Sequence, residues 1–327
     1  MREITYRDAL AEALIEELER FPEMVIMGED LIAQGGVFGV HRRVHERFPD
    51  RILETPIAEP GFVGMAVGAA MTGGPVVVEI MFQDFIAVCM DEIVNQAAKM
   101  RYMSGGQARM PLVIRAPYGV GRGSGAQHTQ ALDSWFVHVP GLTVAMPSNP
   151  ADAKGLLKTA IRGSDPVLFF EHKALYWSKG PVPDGPEVTV PFGSARIVRA
   201  GRDATVVATG RMVEVALEAA HLLGASRISV EVVDPRTLSP IDMRTIYASV
   251  ERTNRVLVVD EATPRCSVGA DIAAAIGEHR FDSLDAPVRR LNAPHAPKPF
   301  APGIERLSVP QVEDVVRMVE ELVLYRV

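Results

Sequence analysis

Residues 51–64 read Arg51-Ile52-Leu53-Glu54-Thr55-Pro56-Ile57-Ala58-Glu59-Pro60-Gly61-Phe62-Val63-Gly64. A short apolar run at 51–54 suggests a strand. The small residues beyond it, Gly64, Ala66, Gly68, Ala69 and Ala70, suggest a helix over 61–71 that another backbone can approach closely. Pro60 suits the first helical position, because its missing N–H has no partner to lose there and its φ is already helical, so Glu59 is expected near the N-cap. Glutamate is a poor cap compared with Ser, Thr, Asp or Asn. A carboxylate at this strand-to-helix mouth is therefore a candidate for chemistry.

The same alternation extends outward. Thr5 with Asp8 resembles a capping box, and Ala9, Leu10, Ala13, Leu14 and Leu18 repeat at helical spacing to about Glu19. Strands are expected over 24–27, 75–80, 112–116, 142–146 and 167–171, with helices near 85–103 and 150–162. Residues 178–191 carry four prolines, at 181, 183, 186 and 191, and read as a linker. Beyond them the pattern restarts, with strands over 205–208, 228–232, 256–259 and 288–291 and helices near 213–223, 241–250 and 268–277. Short apolar strands without polar alternation belong to parallel sheets covered on both faces. The expected fold is α/β, two doubly wound domains over 1–177 and 192–327, the second smaller, joined by 178–191.

Composition bounds what such a chain can do. Its 327 residues exceed what one core usually supports, and 47% hydrophobic with 23% charged residues is ordinary for a globular protein. A net charge of −7 argues against nucleic-acid backbones as the main partner, and no apolar run reaches membrane-spanning length. Cys89 and Cys266 lie far apart without CxxC spacing, which points away from a disulfide framework or zinc cluster and toward a reducing compartment. Residues 1–5 lead directly into an acidic amphipathic helix, without the apolar core of a signal peptide. A cytoplasmic protein is expected.

In open parallel sheets, ligands collect beyond the carboxyl ends of strands. Glu59 follows one strand, and His128 lies in the loop Gly119–Gln130 after another. That loop leads through four glycines to a single imidazole flanked by hydrogen-bonding groups. Taken alone, a loop histidine is more often a solvated or structural residue, and GxGxG outside a strand–turn–helix context is a weak dinucleotide signal. Other polar groups have plain readings too. His41 and His45 have i,i+4 spacing, but Arg42, Arg43 and Arg47 crowd the same turn, so a solvated helix face is expected rather than a metal site. Most Met and aromatic residues of 81–103 read as core packing, and Asp91 and Glu92 as an exposed helix face.

Five segments together resemble the beta subunit of thiamine-diphosphate-dependent 2-oxo acid dehydrogenases: Gly28-Glu29-Asp30, Thr55-Pro56-Ile57-Ala58-Glu59, Arg101-Tyr102-Met103-Ser104-Gly105-Gly106, Gln127-His128-Thr129-Gln130 and the run 147–155. The similarity continues through Val233-Asp234-Pro235-Arg236-Thr237, Val259-Asp260-Glu261-Ala262 and Ala293-Pro294-His295. Glu171-His172-Lys173-Ala174-Leu175-Tyr176 and Pro264-Arg265-Cys266-Ser267 lean toward the pyruvate and acetoin branches. The resemblance implies a transketolase-like pyrimidine-binding domain and a transketolase C-terminal-like domain. It assigns Glu59 to the N1′ nitrogen of the cofactor's aminopyrimidine, where a carboxyl group promotes loss of the thiazolium proton, and His128 to the oxo or lipoyl end of the reaction. Phe85 matches a ring-stacking position, Ile57 and Met81 match lining positions, and Glu29 matches an acid near the cofactor. Backbone carbonyls of Leu112, Ala160, Gly163 and Asp165 correspond to a monovalent-cation site, for potassium, in some relatives.

Relatives hold magnesium and the diphosphate through a Gly-Asp-Gly segment, and this chain contains none. The resemblance therefore implies a heterotetramer with an alpha subunit that supplies those contacts, docked on a dihydrolipoyl acyltransferase core whose lipoyl group accepts the acyl unit. The expected reaction is oxidative decarboxylation of a pyruvate-type 2-oxo acid. Acetoin is the rival substrate, and a non-catalytic assembly scaffold is the rival class.

Overall fold

The apolar runs of the first half become strands, several of them buried on both faces. In the computed structural model, which describes residues 1–325, these are β2 (Val25–Gly28), β3 (Ile52–Glu54), β4 (Val76–Glu79), β5 (Leu112–Tyr118), β6 (Thr143–Ala145) and β7 (Val167–His172); two further strands that no apolar run announces, β1 (Arg2–Thr5) and β8 (Lys179–Val182), flank them. Every residue of β4, β5 and β7 is buried. The sheet runs β6-β7-β5-β4-β2-β3 with all neighbours parallel. Helices Tyr6–Arg20 and Pro150–Arg162 pack against each other, and the Thr5 hydroxyl accepts from the Asp8 N–H at 3.1 Å. Leu10, Leu14, Ile26, Val77, Val113 and Phe169 belong to their shared core.

Two compact units emerge from the packing. The first comprises Met1–Tyr118 and Trp135–Phe192, the second Gly119–Ser134 and Gly193–Val327. Thus 119–134, which falls within 1–177 in the sequence, clusters with the second unit. Part of 178–191 is ordered as a strand, since β8 pairs antiparallel with β1 from Arg2↔Val182 to Thr5↔Lys179. β8 is an edge strand, where a proline such as Pro181 is tolerated. The helix expected over 85–103 is three pieces: a 3₁₀ segment Gln83–Cys89, a π-helical segment Glu92–Ala97 and an α-helix Ala98–Met103. The Asp91 carboxylate accepts from the Asn95 and Gln96 side chains at 2.6 and 3.5 Å, a reach of four and five residues that suits a widened turn. Asp91 itself is exposed, as expected.

The second unit holds β9 (Arg196–Arg199), β10 (Ala204–Ala208), β11 (Val230–Asp234), β12 (Thr237–Ser239), β13 (Val256–Asp260) and β14 (Arg289–Asn292). Its sheet runs β14-β13-β10-β11-β9, parallel except for the antiparallel edge strand β9. Helices Met212–Ala225 and Val312–Leu324 pack together and against this sheet. The second of these carries a capping box between Gln311 and Asp314 and buries Val315, Met318, Val319 and Leu322 at helical spacing.

Charged side chains interrupt three of the apolar strands of the first unit. Glu79 on β4 lies opposite Arg115 on β5, and Glu171 on β7 lies two residues beyond Arg115 on the same face. The Arg115 guanidinium makes a two-point contact with Glu171 at 2.7 and 2.9 Å and reaches Glu79 at 2.9 Å. His41 Nε2 lies 2.7 Å from the same Glu79 oxygen, and the Tyr176 hydroxyl donates to Glu171 at 2.5 Å. All five are buried. His41 therefore corrects the expectation of a solvated helix face: it precedes the short helix Arg42–Arg47, whose arginines point outward, and turns inward to a carboxylate. Burial alone would raise the Glu79 pKa, but His41 and Arg115 outweigh it and hold Glu79 at about 2. Removing one partner of a buried charge pair strands the other. Arg115→Met should destabilise the protein by about 3–5 kcal/mol, read as a lowered urea midpoint; an unchanged midpoint would show that the pairs carry no net weight.

Candidate active site

The carboxyl ends of β2, β3 and β4 bring four acidic side chains into one region. Gly28, the last residue of β2, lies opposite both Glu54 and Glu79, so Glu29 follows directly beside them. Glu54 accepts from the Ile32 and Ala33 N–H groups at 2.5 and 3.1 Å and ties down the loop that follows Glu29. Gly36 in this loop has φ +75°, and a Cβ there would lie 2.8 Å from a Glu79 oxygen, so only glycine lets the loop close over that carboxylate.

Glu59 opens the helix Glu59–Thr72, with Ala58 as the N-cap and Pro60 one position further in than expected. Ala58 offers no capping side chain. The Glu59 side chain is buried and makes no hydrogen bond or ion pair with any described residue. A carboxylate placed so is open to accept a hydrogen bond from solvent or from a bound group. Glu29 is buried too, and its Oε2 has no hydrogen-bond partner. Burial, followed by the charges of Glu59, Asp30 and Glu79, pushes the Glu29 pKa up to about 7. Glu79 and Glu29 are thereby separated, one an anion at neutral pH and the other close to half-protonated there.

The helix Glu59–Thr72 packs on the segments 83–89 and 92–97. Phe85 and Met81 are half-buried there, and Ile57 is 76% exposed at the helix entrance. Cys89 is a buried thiol pushed up to about 12 by burial, then by the charges of Glu92 and Glu59. An aromatic ring, a thioether and an isolated carboxylate suit a flat heterocycle with one hydrogen-bonding nitrogen. Among the described residues no group of three or more His, Cys, Asp or Glu could hold a metal ion. Leu112 begins β5, while Ala160, Gly163 and Asp165 cluster at the C-terminal end of helix Pro150–Arg162. The Ala160 carbonyl accepts the Gly163 N–H at 3.2 Å, and the Asp165 side chain pairs with Arg101 at 2.5 Å.

His128 belongs to the second unit. It is partly exposed and sits on a turn closed by its own N–H donating to the Gly125 carbonyl at 3.2 Å.

Sequence reasoning passed over Glu79, Arg115, Glu171 and Tyr176 as functional support. Their signal was available: a charge inside an apolar strand covered on both faces has to find an opposite charge.

Comparison with known proteins bears on both units. Residues 2–178 match the family model described as transketolase, pyrimidine binding domain, and residues 193–315 match transketolase, C-terminal domain. The chain is 46% identical over 324 residues to an acetoin:2,6-dichlorophenolindophenol oxidoreductase subunit beta of Cupriavidus necator, covering 96% of each protein. It is 42% identical over 326 residues to a pyruvate dehydrogenase E1 component subunit beta of Rickettsia felis, covering 99% of this chain and all of that one (100%). A solved split-gene transketolase, an inactive beta4 tetramer, superposes with a TM-score of 0.80 at 24% identity over 98% of both chains, which speaks to the fold.

Glu29 gives the site a pH signature. The folded state holds its proton more tightly than the unfolded chain, where the value is near 4.5, so this contribution to stability is complete below about 4.5 and is lost as pH climbs through about 7. Relative to the wild type, Glu29→Gln should gain stability between pH 5 and pH 8, measured by urea unfolding at both. A pH-independent difference between the two proteins would contradict the raised value.

Proposed function

The chain belongs to the transketolase-like family of acetoin and pyruvate dehydrogenase beta subunits, and on that premise we propose that it is the beta subunit of a thiamine-diphosphate-dependent 2-oxo acid dehydrogenase. The observation that carries this reading is Glu59, a buried carboxylate without a partner in its own chain, at a helix mouth beyond a parallel sheet. The reaction is oxidative decarboxylation of a pyruvate-type 2-oxo acid with transfer of the acyl group to lipoyl. A second reading, acetoin as substrate, is favoured by the 46% identity to an acetoin-oxidising relative.

When bound, thiamine diphosphate supplies a nucleophilic carbon and an electron sink for the pair left behind as carbon dioxide departs. The chain's own residues position and tune it. Glu59 would hydrogen-bond the pyrimidine N1′, Phe85 would stack on the ring, and Met81 and Ile57 would line it. Glu29, close to half-protonated near pH 7, exchanges protons beside Glu59. His128 serves the substrate end as proton donor or electrostatic stabiliser. The backbone carbonyls of Leu112, Ala160, Gly163 and Asp165 would hold a potassium ion.

Magnesium and diphosphate contacts come from an alpha subunit, consistent with the absence of Gly-Asp-Gly from the sequence. The two form a heterotetramer that delivers acyl groups to the dihydrolipoyl acyltransferase core. We place the assembly in the cytoplasm on the two free cysteines, one buried and one exposed. No helix among the described residues is long and apolar enough to cross a membrane.

Two measurements test this reading. Substrate-dependent decarboxylation should be absent from the purified chain and appear on reconstitution with the alpha subunit, with pyruvate turned over faster than branched-chain 2-oxo acids or acetoin. In the reconstituted complex, Glu59→Gln should lower kcat on the order of 10²–10⁴-fold, the range for a lost acid–base group. Full activity in that variant would leave only an assembly scaffold.

A further inference from the structure

The loop Gly119–Gln130 is held by two carboxylates that come from far along the chain within the second unit. The Val120 N–H donates to Glu261 at 2.8 Å, and the Gly121 and Gly123 N–H groups donate to one oxygen of Glu305 at 3.3 and 3.0 Å. Glu261 follows β13, and Glu305 lies in the short helix Pro302–Leu307. Both are 3% exposed. The second oxygen of Glu305 is buried without a hydrogen-bond partner.

Burying a glutamate against a glycine loop is costly, and no lysine or arginine pairs with Glu305 among the described residues to offset it. Main-chain donors are what satisfy it. The rest of the loop is closed to match. Gly119 N–H meets the Gln130 carbonyl at 3.3 Å across its base, and the buried Thr129 hydroxyl donates to the Gly125 carbonyl at 2.7 Å. Gly123 has φ +62°, and a Cβ there would lie 2.9 Å from the Phe300 carbonyl oxygen, so the loop and the segment leading to Glu305 are in backbone contact. His128 rides on the turn that these bonds complete.

We infer that Glu261 and Glu305 are positioning residues, two acceptors that anchor the main chain of the His128 loop and set where its imidazole stands. The anchorage stands on geometry alone; its consequence for turnover rests on the role given to His128 above. Three N–H donors, of Val120, Gly121 and Gly123, leave the loop for these two acceptors, so the hold acts through the backbone and not through side chains. Asp133, just beyond the loop, is buried and pushed up to about 8 by burial and then by the charge of Asp260, with Glu261 adding to it. The carboxylates are therefore crowded; Lys298 offsets part of the charge of Asp260 and Glu261, while Glu305 is held by backbone amides.

The test separates the anchor from its use. In the full chain, amide exchange across 119–130 should accelerate about tenfold in Glu305→Leu, as expected for losing the acceptor of two hydrogen bonds. Glu305→Gln keeps an acceptor oxygen and should restore most of the protection. Gly123→Ala provides a second route that leaves both acids in place, and should loosen the same amides. Unchanged exchange in the Leu and Ala variants, or equal loosening by Leu and Gln, would overturn the anchorage. In the complex reconstituted with the alpha subunit, Glu305→Leu should lower kcat while KM for the 2-oxo acid changes little, and Gln should rescue kcat. Loosened exchange with unaltered kcat would uphold the anchorage and overturn the assignment of His128 instead.

Discussion

A guanidinium buried in the middle of a parallel sheet constrains the rest of the first unit. Arg115 keeps its charge in any setting, so the fold tolerates it there because Glu79 and Glu171 face it from β4 and β7; an unpaired charge in that environment costs several kcal/mol, a large part of a domain's stability. The requirement fixes register. Side chains alternate faces along a strand, so a slip of one residue in β4 or β7 would carry a carboxylate away from Arg115 and leave both charges stranded. With β4, β5 and β7 pinned, the carboxyl ends of β2 and β3 are set by their own ladders to β4 and to each other. Glu29 and Glu59 inherit their positions from that alignment.

The same charges divide labour among the acids. Glu79 is held as an anion by His41 and Arg115, and its fixed charge is one of those that make ionisation of Glu29 unfavourable. A group stabilised in one protonation state can thus raise the proton affinity of a neighbour without itself changing state. His41 is the less obvious member. It links the loop beyond β2 to the strand β4, so the segment that carries Glu29 into the site is tied to the carboxylate that adjusts its proton affinity.

Much of this was legible in the sequence. The parallel sheets follow from short apolar runs, and Glu59 stood out because a glutamate followed by proline at a helix mouth has no capping purpose. The reading failed where the deciding partner lies far away. His41 sits among arginines in sequence but faces β4 in space, and local crowding gave the wrong surface. The segment 119–134 follows β5 directly, yet its amide donors meet Glu261 and Glu305, more than a hundred residues later. The helix Val312–Leu324 was accessible to periodicity, since its buried positions and its Gln311–Asp314 cap are local signals. A site built from backbone carbonyls, such as the cation site proposed at Ala160 and Gly163, would leave no side-chain pattern at all.

The two units hold their functional groups by opposite means. In the first, side-chain charges compensate one another inside the sheet, and the residue types themselves carry the information: replace Arg115 and the arrangement has no equivalent. In the second, carboxylates accept main-chain N–H groups, which every residue but proline provides. What that hold demands of the loop is conformation, hence glycine at Gly123, where the backbone is left-handed and another carbonyl presses close. A loop held by its backbone can be fixed in shape while the chemistry at its tip is left to one side chain. That is the arrangement a single imidazole on a glycine-rich segment requires, because flexible glycines alone would leave His128 with many positions and no preferred one.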